Sequence, residues 1–222
     1  MNGAGGTAGA IADRLAAVRA GVPGGVTLVA VSKTQPPEAI REAFAAGQRD
    51  FGENYVQEWR EKADALSDLE GIRWHFVGSL QTNKVKYLAG RVALVHTVDR
   101  IELGREIAKR WGRTGAAARV LVEVNLGGEA SKGGCAPGEV EALVAGLRAL
   151  PGLDVAGLTC IPPPDADPRP HFQALRRMRD ALGLGELSMG MSGDYPVAIE
   201  EGATIVRVGT AIFGERSRVR PP

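Results

Sequence analysis

Short apolar runs alternate along the chain with longer segments whose apolar residues recur every three or four positions. The first run covers residues 26–33, is rich in β-branched residues, and lies between a pair of glycines and a pair of prolines. Such a run is typical of a buried strand in a parallel sheet. It ends on Lys33, whose ammonium group must be paired or hydrated. Lys33 is therefore the first residue whose position calls for a chemical explanation.

Seven further segments are candidate strands. They lie at residues 50–54, 73–79, 92–97, 119–125, 154–161, 187–191 and 204–208. Helical spacing extends from Pro36 or Pro37 to about residue 46, and then at about 55–66, 81–89, 100–112, 137–149, 168–182 and 195–201, with a last helix beginning near Ala211. Another helix is predicted before the first strand, over residues 10–20. Gly47 stands where a left-handed helix cap is expected.

Eight strand and helix pairs predict an α/β fold, a single-domain (β/α)8 barrel of the TIM type with an extra N-terminal helix. A doubly wound sheet is the alternative, but it usually has fewer strands and carries its phosphate turn after the first one. We expect residues 1–9 to form a flexible tail and residues 10–222 to form one barrel domain. The proline-rich segment 162–170 is predicted to be a loop after the sixth strand.

Composition narrows the classes of function. The chain has 222 residues and a formal net charge of +1, from 27 basic and 26 acidic side chains, which argues against nonspecific binding to nucleic acid or anionic membrane. The apolar runs fall short of the about 18 to 20 residues that a membrane span needs, and the N-terminus lacks the features of a signal peptide. Two cysteines, Cys135 and Cys160, give neither a disulfide framework nor metal-ligand spacing. We therefore expect a cytoplasmic protein, and a monomer.

In a barrel of this type, the residues at the C-terminal ends of the strands share one opening. Polar and small residues occupy these ends: Lys33, Glu53, Asn54, Gly78, Ser79, Asn125, Thr159, Ser192, Arg207, Gly209 and Thr210. Singly, several of them could be ordinary caps or turn residues. Together they predict a ligand site that contains one lysine and one arginine.

The loops after the seventh and eighth strands indicate what the ligand carries. Small residues and hydroxyls stand ahead of a helix in both loops, around Ser192 and around Gly209 and Thr210. Backbone N–H groups there can approach an anion, and these loops are the usual phosphate site of such barrels. Asp194 would repel a phosphate unless it turns away to cap its own helix.

A lysine opposite a phosphate site suggests a phosphorylated aldehyde held as an imine, as in pyridoxal 5'-phosphate (PLP) sites. A desolvated lysine near Arg207 is expected to have a lowered pKa, which favours the nucleophilic amine. An arginine facing the pyridine nitrogen cannot accept a proton, so the ring would stay unprotonated and would stabilise carbanions poorly.

Several motifs between residues 29 and 214 resemble those of one family. They are Val29-Ala-Val-Ser-Lys-Thr34, Phe51-Gly-Glu-Asn-Tyr55, Trp74-His-Phe-Val-Gly-Ser-Leu-Gln-Thr-Asn-Lys84, His96-Thr-Val-Asp99, Val122-Glu-Val-Asn125, Lys132-Gly-Gly134, Gly157-Leu-Thr-Cys160, Leu187-Ser-Met-Gly-Met-Ser192 and Arg207-Val-Gly-Thr-Ala-Ile-Phe-Gly214. The chain resembles the pyridoxal phosphate homeostasis proteins (the YggS/PLPBP family), which are similar to the barrel domain of alanine racemase.

The resemblance implies that Lys33 holds PLP as an imine and that Ser192, Gly209 and Thr210 hold its phosphate. It also implies that Arg207 lies near the pyridine ring and Asn54 near the cofactor. Members of this family act in the homeostasis of vitamin B6 and amino acids without a known reaction. The resemblance thus implies a cofactor carrier or buffer that meets apo-enzymes of PLP transiently.

The main alternative is a PLP-dependent amino-acid racemase of the alanine racemase type. A two-base route needs a second acid or base, commonly a tyrosine, and in alanine racemases a separate C-terminal domain supplies it. We expect no such domain in this chain, and Tyr55 is the tyrosine nearest to a strand end. A barrel acting on a sugar phosphate is a third possibility, which would leave Lys33 without a role. His75 is predicted to be structural rather than catalytic, and Cys135 to be unreactive.

Overall fold

The structure, a computed structural model, describes residues 9–129 and 132–215. Most of the tail predicted at residues 1–9, namely residues 1–8, lies outside the described residues, as do residues 216–222 after the last helix. The described residues form one closed barrel of eight parallel strands in sequence order, and the eighth strand pairs with the first. The predicted (β/α)8 fold is confirmed.

The strands begin and end close to the predicted positions. They are β1 (Thr27–Val31), β2 (Asp50–Glu53), β3 (Arg73–Phe76), β4 (Leu94–Val98), β5 (Ala118–Glu123), β6 (Leu153–Thr159), β7 (Glu186–Ser188) and β8 (Ile205–Val208). The predicted first and third strands extended beyond the observed ends, to residues 33 and 79. Lys33 and Gly78 therefore lie in loops just past the strand ends.

Helices follow the strands, as the periodicity predicted. In the described ranges they are α1 (Ala10–Ala20), α2 (Pro37–Ala45), α3 (Val56–Ala65), α4 (Val85–Leu88), α5 (Ile101–Trp111), α6 (Val140–Arg148), α7 (Arg169–Ala181), α8 (Tyr195–Glu200) and α9 (Thr210–Phe213). The predicted helix at 81–89 is a 3-10 turn, Thr82–Lys84, followed by the short α4. Gly47 has the predicted left-handed conformation, with a φ of 90°.

Two apolar layers stabilise the barrel. The larger one lies between the sheet and the surrounding helices, and a smaller cluster inside the barrel consists of Val29, Leu94, Leu121, Ala156 and Ile205. Polar side chains continue the interior above and below that small cluster, and His96 and Arg207 are among them. The barrel interior is thus part apolar and part hydrogen-bonded, and the hydrogen-bonded part includes a residue of the predicted site.

Helix α1 and the residue before it make hydrogen bonds to α2 and α9, near the place where β8 pairs with β1 and closes the barrel. The Glu42 carboxylate on α2 accepts hydrogen bonds from the amides of Gly9, at 2.9 Å, and Ile11, at 3.1 Å. Arg14 on α1 donates to the carbonyl of Ile212 on α9 over 2.7 Å. The extra N-terminal helix therefore ties the first β/α unit to the last. Within the described ranges, the helices are too short or too polar to cross a membrane.

Candidate functional site

A cavity of about 270 Å³ opens at the C-terminal end of the barrel. Ligand pockets commonly measure about 300–1,000 Å³, so this one suits a small ligand. All six predicted site residues line it: Lys33, Asn54, Ser192, Arg207, Gly209 and Thr210. Further lining residues are Val31, Gln35, Val77, Ile161, Met191, Gly193, Phe213 and Gly214. The structure thus brings residues from β1, β2 and β8 and from the loop after β7 together at one opening.

Lys33 lies in a tight turn just after β1. The next residue, Thr34, has a φ of 64°, a left-handed conformation that is uncommon for a residue with a side chain. Its backbone amide donates to the Glu58 carboxylate on α3. On the other side, Ser32 is fully buried and donates to Glu53 over 2.7 Å. Neighbours of Lys33 on both sides are therefore fixed, and the strained turn is held by contacts from β2 and α3.

A second lysine, Lys62 on α3, lies against this turn and hydrogen-bonds to its backbone. Its buried ammonium group donates to the Ser32 carbonyl over 2.6 Å and to the carboxylates of Glu53 and Glu58 over 2.7 Å each. Burial raises the pKa of Glu53 to about 7, although Lys62 and Ser32 act in the opposite direction. The cluster of Ser32, Glu53, Glu58 and Lys62 thus concentrates charge under the Lys33 turn, where solvent cannot screen it.

Asn54 is positioned by a close approach between two loops. A side chain at Gly78 would place its Cβ only 2.1 Å from the Asn54 carbonyl oxygen, so the loop after β3 can lie there only with glycine. The side-chain oxygen of Asn54 is buried and has no hydrogen-bond partner within the protein. Such atoms are rarely left unpaired, and this one belongs to a residue that lines the cavity.

Backbone amides converge on the opposite rim. The amides of Gly209 and Ala211 both donate to the Ser192 hydroxyl oxygen, over 3.2 Å and 3.3 Å. Ser192 and Gly209 both line the cavity, so these contacts join the loops after β7 and β8 at the rim where the sequence predicted a phosphate. Asp194 does not cap its own helix through its side chain. Its carboxylate instead accepts from the Met191 amide over 2.5 Å and holds the loop after β7.

Arg207 lies at the floor of the cavity and is buried. Its Nη1 donates to the Ser188 carbonyl and hydroxyl over 2.7 Å each and to the Thr159 hydroxyl over 2.9 Å, and its Nη2 donates to the Cys160 carbonyl over 3.0 Å. Burial lowers the pKa of Arg207 from its usual value, against the opposing charge of Glu123 and others. Arginine has so high a pKa that the group stays protonated, and these contacts fix its orientation.

The tyrosine expected of a racemase does not line the cavity. Tyr55, the candidate from the sequence, is half exposed at the start of α3, and neither it nor Tyr87 or Tyr195 is among the lining residues in ranges 9–129 and 132–215. His75 is buried and bonded to Asp50 and His96 within the barrel, which fits its predicted structural role. Cys135 is buried too, and burial raises the pKa of its thiol to about 11.

Sequence reasoning overlooked three buried polar residues behind the cavity: Lys62, His96 and Ser188. Lys62 follows the buried Trp59 by three positions, a spacing that places both on the inward face of α3. That spacing was a usable signal. His96 and Ser188 lie in apolar strands and meet over 2.9 Å, although they are 92 residues apart in the chain. No local pattern indicates their contact.

Comparison of the sequence with known families and proteins finds relatives that match most of this chain. Residues 7–217 match the family described as alanine racemase, N-terminal domain. A pyridoxal phosphate homeostasis protein of Aquifex aeolicus is 51% identical over 198 residues, which cover 85% of this chain and 86% of the relative. One of Pseudomonas aeruginosa is 46% identical over 204 residues, 90% of this chain and 88% of that protein.

Solved structures agree with the sequence relatives. PipY of Synechococcus elongatus PCC7942, solved with PLP bound, is 39% identical and superposes with a TM-score of 0.87, over 92% of this chain and 100% of that one. Alanine racemase of Clostridium difficile 630 has a TM-score of 0.77 at 13% identity, over 93% of this chain and 56% of that one, and shares the barrel fold. With these matches across most of its length, the chain belongs to the pyridoxal phosphate homeostasis protein family, within the wider group of alanine racemase N-terminal barrels.

Proposed function

We propose that this protein binds PLP as an imine with Lys33 and serves in the intracellular homeostasis of PLP and amino acids. The observation that carries the proposal is the meeting of Lys33, Arg207 and the loops that contain Ser192 and Gly209 around one cavity. An amine to bind an aldehyde and amides to bind a phosphate are the two groups that this cofactor requires. The relatives named for PLP and the PLP-bound PipY structure support the assignment.

The cavity fits the cofactor in its chemistry. The Lys33 amine would attack the aldehyde carbon, a carbon–nitrogen double bond would form, and the aldehyde oxygen would leave as water. Ser192, Gly209 and Thr210 would hold the phosphate through hydroxyls and amides. Asn54 would lie beside the cofactor, and its side-chain oxygen has no hydrogen-bond partner within the protein.

Arg207 makes sustained catalysis unfavourable in this proposal. When bound, PLP supplies an electron sink whose strength depends on protonation of its ring nitrogen. Beside that nitrogen the guanidinium can donate but cannot accept a proton, so the ring stays neutral. The cavity lining also lacks a tyrosine to serve as the second base, as far as the described residues extend. We therefore propose a carrier or buffer without turnover rather than a racemase.

Handover to apo-enzymes forms part of the proposal and is supported by the open mouth of the cavity. Ile161 and Met191 line the cavity and remain 41% and 39% exposed, so the ligand would stay within reach of another protein. The free thiols of Cys135 and Cys160 suit the reducing cytoplasm. Release of PLP from the loaded protein to an apo-enzyme, followed by the gain of that enzyme's activity, tests this part directly.

The central test is the visible absorbance of the protein incubated with PLP, before and after borohydride reduction. We expect an imine band that reduction removes while fixing the cofactor to the chain at Lys33, as peptide mass mapping would show. Lys33→Ala should lack the band, whereas Lys132→Ala, in the loop after β5 and outside the cavity lining, should keep it. A wild-type protein without the band would contradict the proposal. Rapid exchange of the α-hydrogen of alanine would favour the racemase instead.

A further inference from the structure

Five buried side chains form a continuous series of hydrogen bonds through the barrel. Asp50 Oδ1 lies 3.0 Å from His75 Nε2, and His75 Nδ1 lies 3.0 Å from His96 Nε2. His96 Nδ1 lies 2.9 Å from the Ser188 hydroxyl, which accepts from Arg207 over 2.7 Å. Asp50 begins β2 at the N-terminal end of the barrel, and Arg207 reaches the cavity at the other. We name these residues the interior relay.

The ionisation state of Asp50 decides which atom donates the hydrogen bond at this end of the relay. Burial opposes ionisation of Asp50, but hydrogen bonds and charges from His75 and Arg73 outweigh it and lower its pKa to about 2. An ionised carboxylate only accepts, so His75 must donate from Nε2. With its proton on Nε2, the neutral form of the His75 ring presents Nδ1 as an acceptor to His96.

The Arg207 end is compatible with the same direction. A guanidinium only donates, so the Ser188 oxygen accepts from it, and the Ser188 hydroxyl proton can be donated to His96 Nδ1. His96 is fully buried, which lowers its pKa well below the usual value and keeps it neutral with one N–H. Because His75 Nδ1 accepts, that proton lies on Nε2, which leaves His96 Nδ1 to accept from the Ser188 hydroxyl. The other tautomer of His96 would set two acceptors against each other at His75.

We propose that His96 and Ser188 are positioning residues for the cofactor, holding the Arg207 guanidinium in the orientation that faces the pyridine ring. This inference rests on the proposed function, which places Arg207 beside that ring. In the interior relay each residue donates a hydrogen bond to the next, from the guanidinium at one end to the carboxylate at the other, so each hydrogen bond polarises the next. The Ser188 oxygen lone pairs are thereby turned towards Arg207. Loss of His96 would free the serine hydroxyl to rotate and would loosen the guanidinium.

Four variants test the proposal. Ser188→Ala removes one link, and His96→Leu removes the imidazole. His96→Gln is the rescue, because its amide offers an acceptor and a donor in the same order. Thr204→Val is the control, since the Thr204 hydroxyl also joins β7 to β8, by accepting from the Leu187 amide over 2.8 Å, but at the opposite end of the barrel.

The measurements are the PLP dissociation constant and the absorbance maximum and pH titration of the bound cofactor. Ser188→Ala and His96→Leu should each raise the dissociation constant about tenfold, the loss expected for a hydrogen bond to a charged group, and should shift the absorbance band. His96→Gln should stay within about twofold of wild type, as should Thr204→Val.

Two outcomes would overturn the proposal: wild-type affinity and spectrum in both damaging variants, or equal damage by His96→Gln and His96→Leu, which would mean that only packing matters. If His96→Leu does not fold, Ser188→Ala decides alone, since it removes one oxygen. A wild-type protein without an imine band would reject the proposed function instead. A wild-type band that the relay variants leave unchanged would reject this inference alone.

Discussion

Replacing Lys62 with methionine should destabilise the fold strongly, by an amount that depends on pH. Methionine keeps the length and the apolar stem of the side chain but removes the ammonium group. Three hydrogen bonds of 2.6 to 2.7 Å would be lost, to Ser32, Glu53 and Glu58. The side chain of Glu53 is fully buried, so after the substitution neither the Lys62 ammonium group nor solvent would stabilise the charge of its carboxylate.

The size of the effect follows from this burial. Removing one partner of a buried ion pair costs about 3–5 kcal/mol, because the other charge remains uncompensated. Protonation of Glu53 relieves that cost. Its folded-state pKa already exceeds the ordinary value of 4.5 and stands at about 7, and loss of Lys62 would raise it further. An acid whose pKa is higher in the folded state favours folding below its unfolded pKa and loses that contribution as pH rises.

Urea unfolding at pH 6 and pH 8 measures the free energy of unfolding of both proteins. We expect Lys62→Met to lose about 3–5 kcal/mol at pH 8 and clearly less at pH 6, where Glu53 can be protonated. Adding Glu53→Gln should restore part of the loss at pH 8. Lys109→Met is the control, because that lysine is 59% exposed and should contribute about 0.5 kcal/mol or less. A loss below about 1 kcal/mol at pH 8, or an equal loss at both pH values, would refute the reasoning.

Three other changes have definite expected outcomes. Asp50→Asn should lower the free energy of unfolding by about 1–2 kcal/mol at pH 7, and the difference from wild type in acid unfolding should shrink as pH falls from about 4 to about 2, where wild-type Asp50 becomes protonated. Gly78→Ala should weaken PLP binding and reduce stability by about 1–3 kcal/mol in urea unfolding, because its Cβ would meet the Asn54 carbonyl, whereas Gly138→Ala, with nothing within 4 Å, should behave as wild type. Cys160 is buried, and burial raises the pKa of its thiol to about 12, so a thiol reagent at pH 7 should label it only as the protein unfolds; prompt labelling of the folded protein would contradict this.

The barrel was predictable because its strands carry strong local signals. Most strand residues are buried, β1, β4, β5 and β8 are rich in β-branched apolar residues, and the loops between strands carry glycines and prolines. The same regularity made the cavity predictable, since the C-terminal ends of parallel strands meet at one opening. Lys33 and Arg207 could be assigned to the cavity without knowledge of side-chain contacts, because their positions near the ends of β1 and β8 were sufficient.

The polar groups behind the cavity were not predictable in the same way. A histidine in an apolar strand, such as His96, can point into the barrel or towards the helices, and the register that brings it to His75 and Ser188 exists only in the closed sheet. The extent of the first strand was overestimated for a related reason. Thr34 has a β-branched side chain, yet contacts with Glu58 hold it in a left-handed turn that its own preference opposes.

The pairing of β1 with β8 has a consequence for the order in which the protein can mature. Lys33 follows the first strand and is synthesised early, whereas Gly209 and Thr210 follow the last one. The residues proposed to bind the aldehyde and the phosphate therefore meet only after the whole barrel sequence has been synthesised and its ends have joined. We expect incomplete nascent chains to bind PLP too weakly to retain it, so tight binding of PLP would indicate that the barrel is complete.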